Sequence, residues 1–250
     1  MTLQARNIML SVGQKVLLND VNFTVKKGKV VGLMGPNGAG KSSLLKVLTG
    51  ITRAQQGEVF LGDNVLAAKE SAKSIAYLPD SPPCSWSLSV EQVISLGRIP
   101  HQGPLSRLSE NDAKAVRDAL SETALLRMRG RTLNTLSHGE RMRAMLARCF
   151  ATGATYFILD EPLGGLDAKH QLALMQILKS KAASGCGVLL VLHDFSIAQR
   201  FCDEIAFMHK SKIVAHDIPD KVITHSRLKQ VFDIEAAIGS MHGVPFIIPV

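Results

Sequence analysis

The sequence predicts an α/β fold in which a mostly parallel sheet carries a phosphate-binding loop and is interrupted by an inserted helical segment. Three observations predict it. A glycine-rich loop at 35–42 follows an apolar run and opens a helical pattern. Continuous apolar runs recur at Thr155–Leu159 and Gly187–Leu192, as expected of parallel strands buried on both faces. Between the loop and these runs, residues 90–151 carry helical rather than strand spacing.

The loop reads Gly35-Pro36-Asn37-Gly38-Ala39-Gly40-Lys41-Ser42, with Ser43 directly after it. Val30–Met34 supplies the preceding strand, and Leu44, Leu45, Val47 and Leu48 have helical spacing. Gly35, Gly38 and Gly40 are expected to take positive φ and let backbone N–H groups converge on phosphate oxygens. The helix N-terminus adds its positive dipole end. Lys41 is expected at the β- and γ-phosphates, and Ser42 is expected to offer its hydroxyl to Mg²⁺.

Leu3–Leu10 and Val21–Val25 read as short strands flanking a turn at Gly13. Gly57–Gly62 and Ile75–Leu78 read as further strands, the second stopped by Pro79. Ser81–Ser87 is rich in Pro and Ser and reads as a loop. Val90, Val93, Ile94 and Gly97 then form one helical piece and Ala113, Val116, Leu120 and Ala124 another, with Ser109–Asp112 as a start signal. A helix over Arg141–Phe150 puts Met142, Met145, Leu146 and Cys149 on one face. After Thr155–Leu159 come a helix over Ala168–Ala183, the strand at 187–192, another helix, and strands near Glu204–Met208 and Lys212–Ala215. Beyond about Ser226 the expectation is a tail with little regularity. The whole reads as one domain: an α/β core from 1–80 and 152–225, a helical insertion at 81–151, and a tail at 226–250.

Chemistry concentrates at strand ends. Asp160 and Glu161 sit at the carboxyl end of an apolar strand, where ligands of open α/β sheets bind. Asp160 is expected to hold Mg²⁺, and Glu161 to polarise the water that attacks the γ-phosphate. His193 ends the next apolar run, placed to hydrogen-bond a γ-phosphate oxygen. Leu136-Ser137-His138-Gly139-Glu140 precedes a helix, and its serine and glycine make either a plain cap or an anion site.

Composition narrows the rest. A chain of 250 residues, 46% hydrophobic, can bury a substantial core. The net charge of +8 is uneven, since residues 98–148 hold ten Lys/Arg against five Asp/Glu. That suggests an acidic partner or a membrane surface, or else a solvated helical face. Nucleic acid is not expected, because Phe150 is the only aromatic from Arg98 to Ala154. Cys84, Cys149, Cys186 and Cys202 form no CxxC pair and read as reduced, mostly buried thiols of a cytosolic protein. Neither a secretory signal nor a membrane span of about 18 apolar residues is expected.

Taken together these motifs resemble the nucleotide-binding subunit of ATP-binding-cassette transporters over nearly the whole chain. Residues 35–42 resemble Walker A, Tyr156–Glu161 Walker B, Leu136–Glu140 the LSGGQ signature, Gly165-Leu166-Asp167 the D-loop, and His193 the switch histidine. The resemblance implies a P-loop NTPase (RecA-like) core with a small antiparallel β subdomain and an inserted α-helical subdomain. It implies ATP and Mg²⁺ as ligands and a head-to-tail homodimer, in which Leu136–Glu140 of one copy close on ATP held by the other. Membrane permease subunits and a periplasmic or extracellular substrate-binding protein would complete the system, with this chain peripheral at the cytoplasmic face of the inner membrane. Tyr77-Leu78-Pro79 and Gly97–Gly103 are similar to subunits energising uptake of iron–siderophores, haem or vitamin B12.

Three departures stand out. Asp80 replaces a glutamine, and it could ligate Mg²⁺ but donates no hydrogen bond. Val12 stands where an aromatic usually stacks on adenine. His138 replaces the first signature glycine, and Glu140 a glutamine. Other readings are an importer of a different substrate such as a metal ion, a degenerate non-hydrolysing cassette, or an ABC protein of DNA repair or translation; the 95 residues between Lys41 and Leu136 leave no room for the long arm of the last.

Overall fold

The computed structural model describes residues 2–80, 87–103 and 108–250. The loop expected at 81–87 lies, apart from Ser87, outside the described residues, as does Cys84. The elements in order are β1 (Thr2–Val12), β2 (Lys15–Lys26), β3 (Val30–Met34), α1 (Lys41–Leu48), β4 (Gln56–Leu61), β5 (Asn64–Val65), α2 (Ala68–Ser74) and β6 (Ile75–Leu78). There follow α3 (Val90–Ser95), α4 (Glu110–Glu122), α5 (His138–Ala151), β7 (Tyr156–Leu159), α6 (Ala168–Ala183), β8 (Gly187–Val191) and α7 (Phe195–Phe201). The chain closes with β9 (Glu204–His209), β10 (Lys212–Asp217), α8 (Pro219–Val222), α9 (His225–Phe232), β11 (Ala236–Met241) and β12 (Val244–Pro249).

Six strands form the central sheet in the order β10-β9-β3-β8-β7-β6, parallel except for the β10 edge. Its strands read as unbroken apolar runs because both faces are covered, and the alternation shows in where successive side chains go. Tyr156 and Ile158 of β7 enter a core shared with the antiparallel sheet β2-β1-β4-β5 and α1, while Phe157 and Leu159 enter a core shared with the helices. Leu189 and Val191 of β8 likewise face the first core, and Val188 and Leu190 the second. The helical insertion packs into that second core through Val90, Val93, Ile94, Val116, Leu120 and Met145.

The insertion is fastened by one arginine. Arg98 Nε donates to Asp112 Oδ1 at 2.7 Å, and its Nη1 donates to the carbonyls of Ala151 at 2.7 Å and Thr152 at 3.2 Å, so a single guanidinium joins α4 to the end of α5. Asp112 also completes the capping box of α4, accepting from Ser109 N and Oγ. These bonds, Arg98 first, hold the Asp112 carboxyl down to about 2. Gly97 lies where a Cβ would meet the Arg148 carbonyl at 2.3 Å, and His101 Nε2 reaches Thr152 O at 2.7 Å. The Gly97–Gly103 stretch therefore works as scaffold within this chain.

Two expectations need correction. Ala124 does not extend its helix; it takes φ 55° beyond the end of α4. The segment after Ser226 is not irregular. Thr224 caps α9, Leu228 and Val231 bury themselves, and Phe232 packs edge-on against Phe195 and Phe207 at 4.9 and 5.0 Å. The β11–β12 hairpin turns through His242 and Gly243, both at positive φ as a tight two-residue turn requires. It is tied to α7 by Ile247 N donating to Ser196 Oγ at 3.0 Å. The physical reason is that a short helix and a lone hairpin are marginal by themselves and form here because α7 and the sheet cover them.

Because Arg98 and Asp112 are nearly buried, breaking their pair leaves a carboxylate unpaired. Arg98→Met is expected to lower the melting temperature by about 5–10 °C, whereas Lys114→Ala, which removes the exposed Lys114–Asp118 pair, leaves it unchanged. In the native chain this contribution is present above the ordinary Asp pKa and is lost as pH falls toward about 2. Thermal melts of both variants across pH check it.

Candidate active site

The loop between β3 and α1 is pressed between two neighbouring strands. A Cβ on Gly35 would lie 2.2 Å from the Met208 carbonyl, and one on Gly40 would lie 2.3 Å from the Leu17 carbonyl. Gly38 and Gly40 take positive φ as expected, but Gly35 does not; its requirement is close approach to β9. Asn37 and Gly38 are exposed, Pro36 half-buried, and Ala39 buried in the core.

Lys41 opens α1 and curls back over the loop. Its Nζ donates to Gly35 O at 2.7 Å and Pro36 O at 3.0 Å. Burial pulls its pKa down, opposed by the charges of Glu161 and Asp160. Ser42 is exposed beside it and Ser43 half-buried.

Asp160 follows β7 and is 3% exposed, its N–H donating to Leu78 O at 2.8 Å. Burial raises its pKa most; the Ser42 hydroxyl lowers it, and the charges of Glu161 and Asp80 raise it. The Tyr77 hydroxyl also faces this carboxylate, and burial together with Asp160 and Asp80 pushes it up to about 12. Asp160 Oδ1 nevertheless has no hydrogen-bond partner among the described residues. An orphaned carboxylate oxygen beside a serine hydroxyl and a second carboxylate is an all-oxygen donor set that fits Mg²⁺. Among the described residues no group of three His, Cys, Asp or Glu could enclose a metal.

Glu161 adopts φ 49°, a left-handed conformation unusual for a non-glycine residue, which turns its side chain off the strand axis. His193 Nε2 lies 2.8 Å from Glu161 Oε1, so Nε2 carries the proton. His193 therefore orients the carboxylate, and a cavity of about 190 Å³ opens between Glu161, Gly164, Gly165 and His193.

Lys41, Ser42, Asp80, Asp160, Glu161 and His193 thus converge; the signature stretch and Asp167 do not join them. No hydrogen bond or ion pair among the described residues links 137–140 to 35–43. Leu136 is 4% exposed and belongs to the core, so its side chain cannot meet a nucleotide, contrary to expectation. Nor is the α5 tip without partners in its own chain. Ser137 Oγ accepts from Glu140 N at 3.3 Å, and Glu140 Oε2 accepts from Ser137 N at 2.8 Å, a reciprocal cap. That backbone donor, ahead of Arg131 and Arg143, holds the Glu140 pKa down. His138 folds onto the D-loop, and Asp167 caps α6 by accepting from His170 N at 2.9 Å and His170 Nδ1 at 2.8 Å. Val12 ends β1 and is 65% exposed. Two participants escaped sequence reasoning. Tyr77 could have been found from the parallel pairing that sets it beside Ile158, and His170 from its place three residues after a capping aspartate.

A phosphate loop, an acid pair and an orienting histidine on adjacent parallel strand ends, with a capped signature tip elsewhere, make a specific set. The sequence profile of the ABC transporter family matches residues 18–164. The chain belongs to the ABC transporter family. It is 35% identical to the iron(3+)-hydroxamate import ATP-binding protein FhuC of Bacillus subtilis, with 95% of this chain and 90% of that one aligned. It is 37% identical to the hemin import ATP-binding protein HmuV of Thermobifida fusca, over 99% of this chain and 88% of that one. A solved ABC transporter in an inward-facing conformation shares the fold with a TM-score of 0.86 at 23% identity, covering 100% of this chain and 96% of that one. Within the family this chain is the ATPase subunit of a transporter. Among its described residues no helix is long and apolar enough to cross a membrane.

The buried Asp160 charge costs the ligand-free cassette stability. A carboxyl whose folded pKa is raised loses stability as pH rises above its unfolded value of about 3.9. Asp160→Asn is therefore expected to raise the melting temperature of the nucleotide-free protein by about 2–4 °C at pH 7 and by less at pH 4, while weakening Mg²⁺-dependent ATP binding. Melts at both pH values with and without Mg²⁺–ATP check the sign.

Proposed function

We propose that this cassette hydrolyses ATP to energise an importer of iron–siderophores or haem. What carries the substrate reading is the near full-length match to two import subunits whose names specify iron(3+)-hydroxamate and hemin. What supports hydrolysis is that Lys41, Asp160, Glu161 and His193 meet at one end of the sheet.

In the working cycle Lys41 exchanges its bonds to Gly35 O and Pro36 O for the β- and γ-phosphate oxygens of ATP, with loop N–H groups as further donors. Ser42 and Asp160, with Asp80 beside them, would hold Mg²⁺, which supplies positive charge against the phosphate oxygens when bound. Glu161 is the acceptor for the proton of the attacking water, and His193 fixes its direction. Val12 gives the adenine only apolar contact.

The capped α5 tip is exposed at Ser137 and His138 and makes no bond to the loop of its own chain. The cap uses the Ser137 and Glu140 N–H groups, whereas those of His138 and Gly139 have no intrahelical acceptor and can serve an anion. This supports a head-to-tail homodimer in which Ser137, His138, Gly139 and Glu140 of one copy approach ATP held by the other, with Asp167 near the junction. Membrane permease subunits receive the motion, a substrate-binding protein outside the membrane delivers the cargo, and the cassette sits peripherally at the cytoplasmic face.

Glu161→Gln is expected to keep ATP binding, slow hydrolysis by about 10²-fold or more, and accumulate a nucleotide-bound dimer. Equal turnover in wild type and variant, measured by phosphate release, would remove Glu161 from its role. Asp80→Gln is expected to keep or raise basal ATPase activity, and a collapse of Mg²⁺ dependence in that variant would instead make Asp80 a required ligand.

A further inference from the structure

His138 is the first residue of α5, where a side chain is free to leave the helix tip in any direction. It goes to the loop that follows Glu161. Its Nε2 lies 2.9 Å from the Gly164 carbonyl, an acceptor only, so Nε2 is the protonated nitrogen. Gly165 sits beneath the ring at φ +68°, and a Cβ there would come within 3.1 Å of His138 Nε2. The next residue of the tip lies near the same loop: a Cβ on Gly139 would lie 3.5 Å from Leu166 and 3.7 Å from His170.

The loop so gripped is short, and besides its ends it is anchored by the buried Leu163 side chain and by Gln171 Nε2 donating to Leu163 O at 3.4 Å. It begins at Glu161, whose φ of 49° stores backbone strain, and turns through Gly164 N donating to Glu161 O at 3.1 Å. It finishes at Asp167, clamped as the cap of α6. Between these points, the Leu166 N–H is used by Leu163 O, and the Gly164 carbonyl is engaged by His138 alone among the described residues.

We propose that His138 is a positioning residue: its imidazole latches the α5 tip to the Glu161–Asp167 loop and so steadies the backbone that carries the Glu161 carboxylate, which His193 orients. A side chain at this signature position then has a use that a bare glycine could not supply. Displacement of the tip would be passed through one hydrogen bond to the strained residue that accepts the proton from water. The catalytic part of this rests on the role given to Glu161 above; the latch itself does not.

The test compares full-length wild type with His138→Ala, which removes the bond while keeping a good helix former, and His138→Gln, whose amide N–H can still reach Gly164 O. Hydrogen exchange of the amides at 163–167 in nucleotide-free protein is expected to rise about fivefold in His138→Ala and to return to wild type in His138→Gln. For ATP hydrolysis, kcat is expected to fall about fivefold in His138→Ala, and His138→Gln to restore it. Wild-type exchange in His138→Ala, or a glutamine variant as impaired as the alanine one in either readout, overturns the latch. If wild type itself releases no phosphate from ATP, the hydrolytic reading fails, and the exchange comparison still decides the latch.

Discussion

The burial of β7 on both faces is the constraint on which the site depends. A strand enclosed by two cores has no freedom to shift register, because a slip by one residue would exchange Phe157 and Leu159 for Tyr156 and Ile158. Its carboxyl end is therefore a fixed point, and Asp160 and Glu161 inherit that fixity. The neighbours are set by the same pairing: Leu159 lies opposite Leu78 of β6 and Leu190 of β8, so Asp80 and His193 arrive beside the acid pair. β3, next along, delivers the phosphate loop.

This arrangement concentrates negative charge in a poorly solvated place. Burial raises the proton affinity of Asp160, and the nearby charges of Glu161 and Asp80 raise it further. Lys41 offsets part of that charge while remaining bonded to two loop carbonyls. Among the described residues one Asp160 oxygen has no hydrogen-bond partner. A cation and a polyphosphate would offset the charge on Asp160 and on Lys41 respectively, which is the physical ground for the proposed binding of the two together.

The helical insertion contributes differently. Its packing against the sheet is ordinary apolar burial, but its attachment is polar: Arg98 reaches Asp112 and the end of α5 at once. Because α5 carries the Ser137–Glu140 tip at its other end, this fastening sets where the tip stands. Two reciprocal capping boxes, at Ser109 and Ser137, start the helices that matter for that placement.

The sequence by itself determined the elements whose signals are local. Glycine spacing and the flanking strand and helix announced the phosphate loop, unbroken apolar runs announced β7 and β8, and Ser109 announced the start of α4. It also named the residues of the acid pair and His193. Only the tertiary structure decided that Gly35 is a glycine for the sake of Met208 rather than for its φ, that Leu136 is core, and that His138 faces Gly164. The same holds for α9 and the last hairpin, which exist because α7 and the sheet cover them. The division has one physical cause: periodicity and capping act within a few residues and are written in order along the chain. Burial, close approach and charge pairing join residues far apart in sequence and appear only when the sheet brings them together.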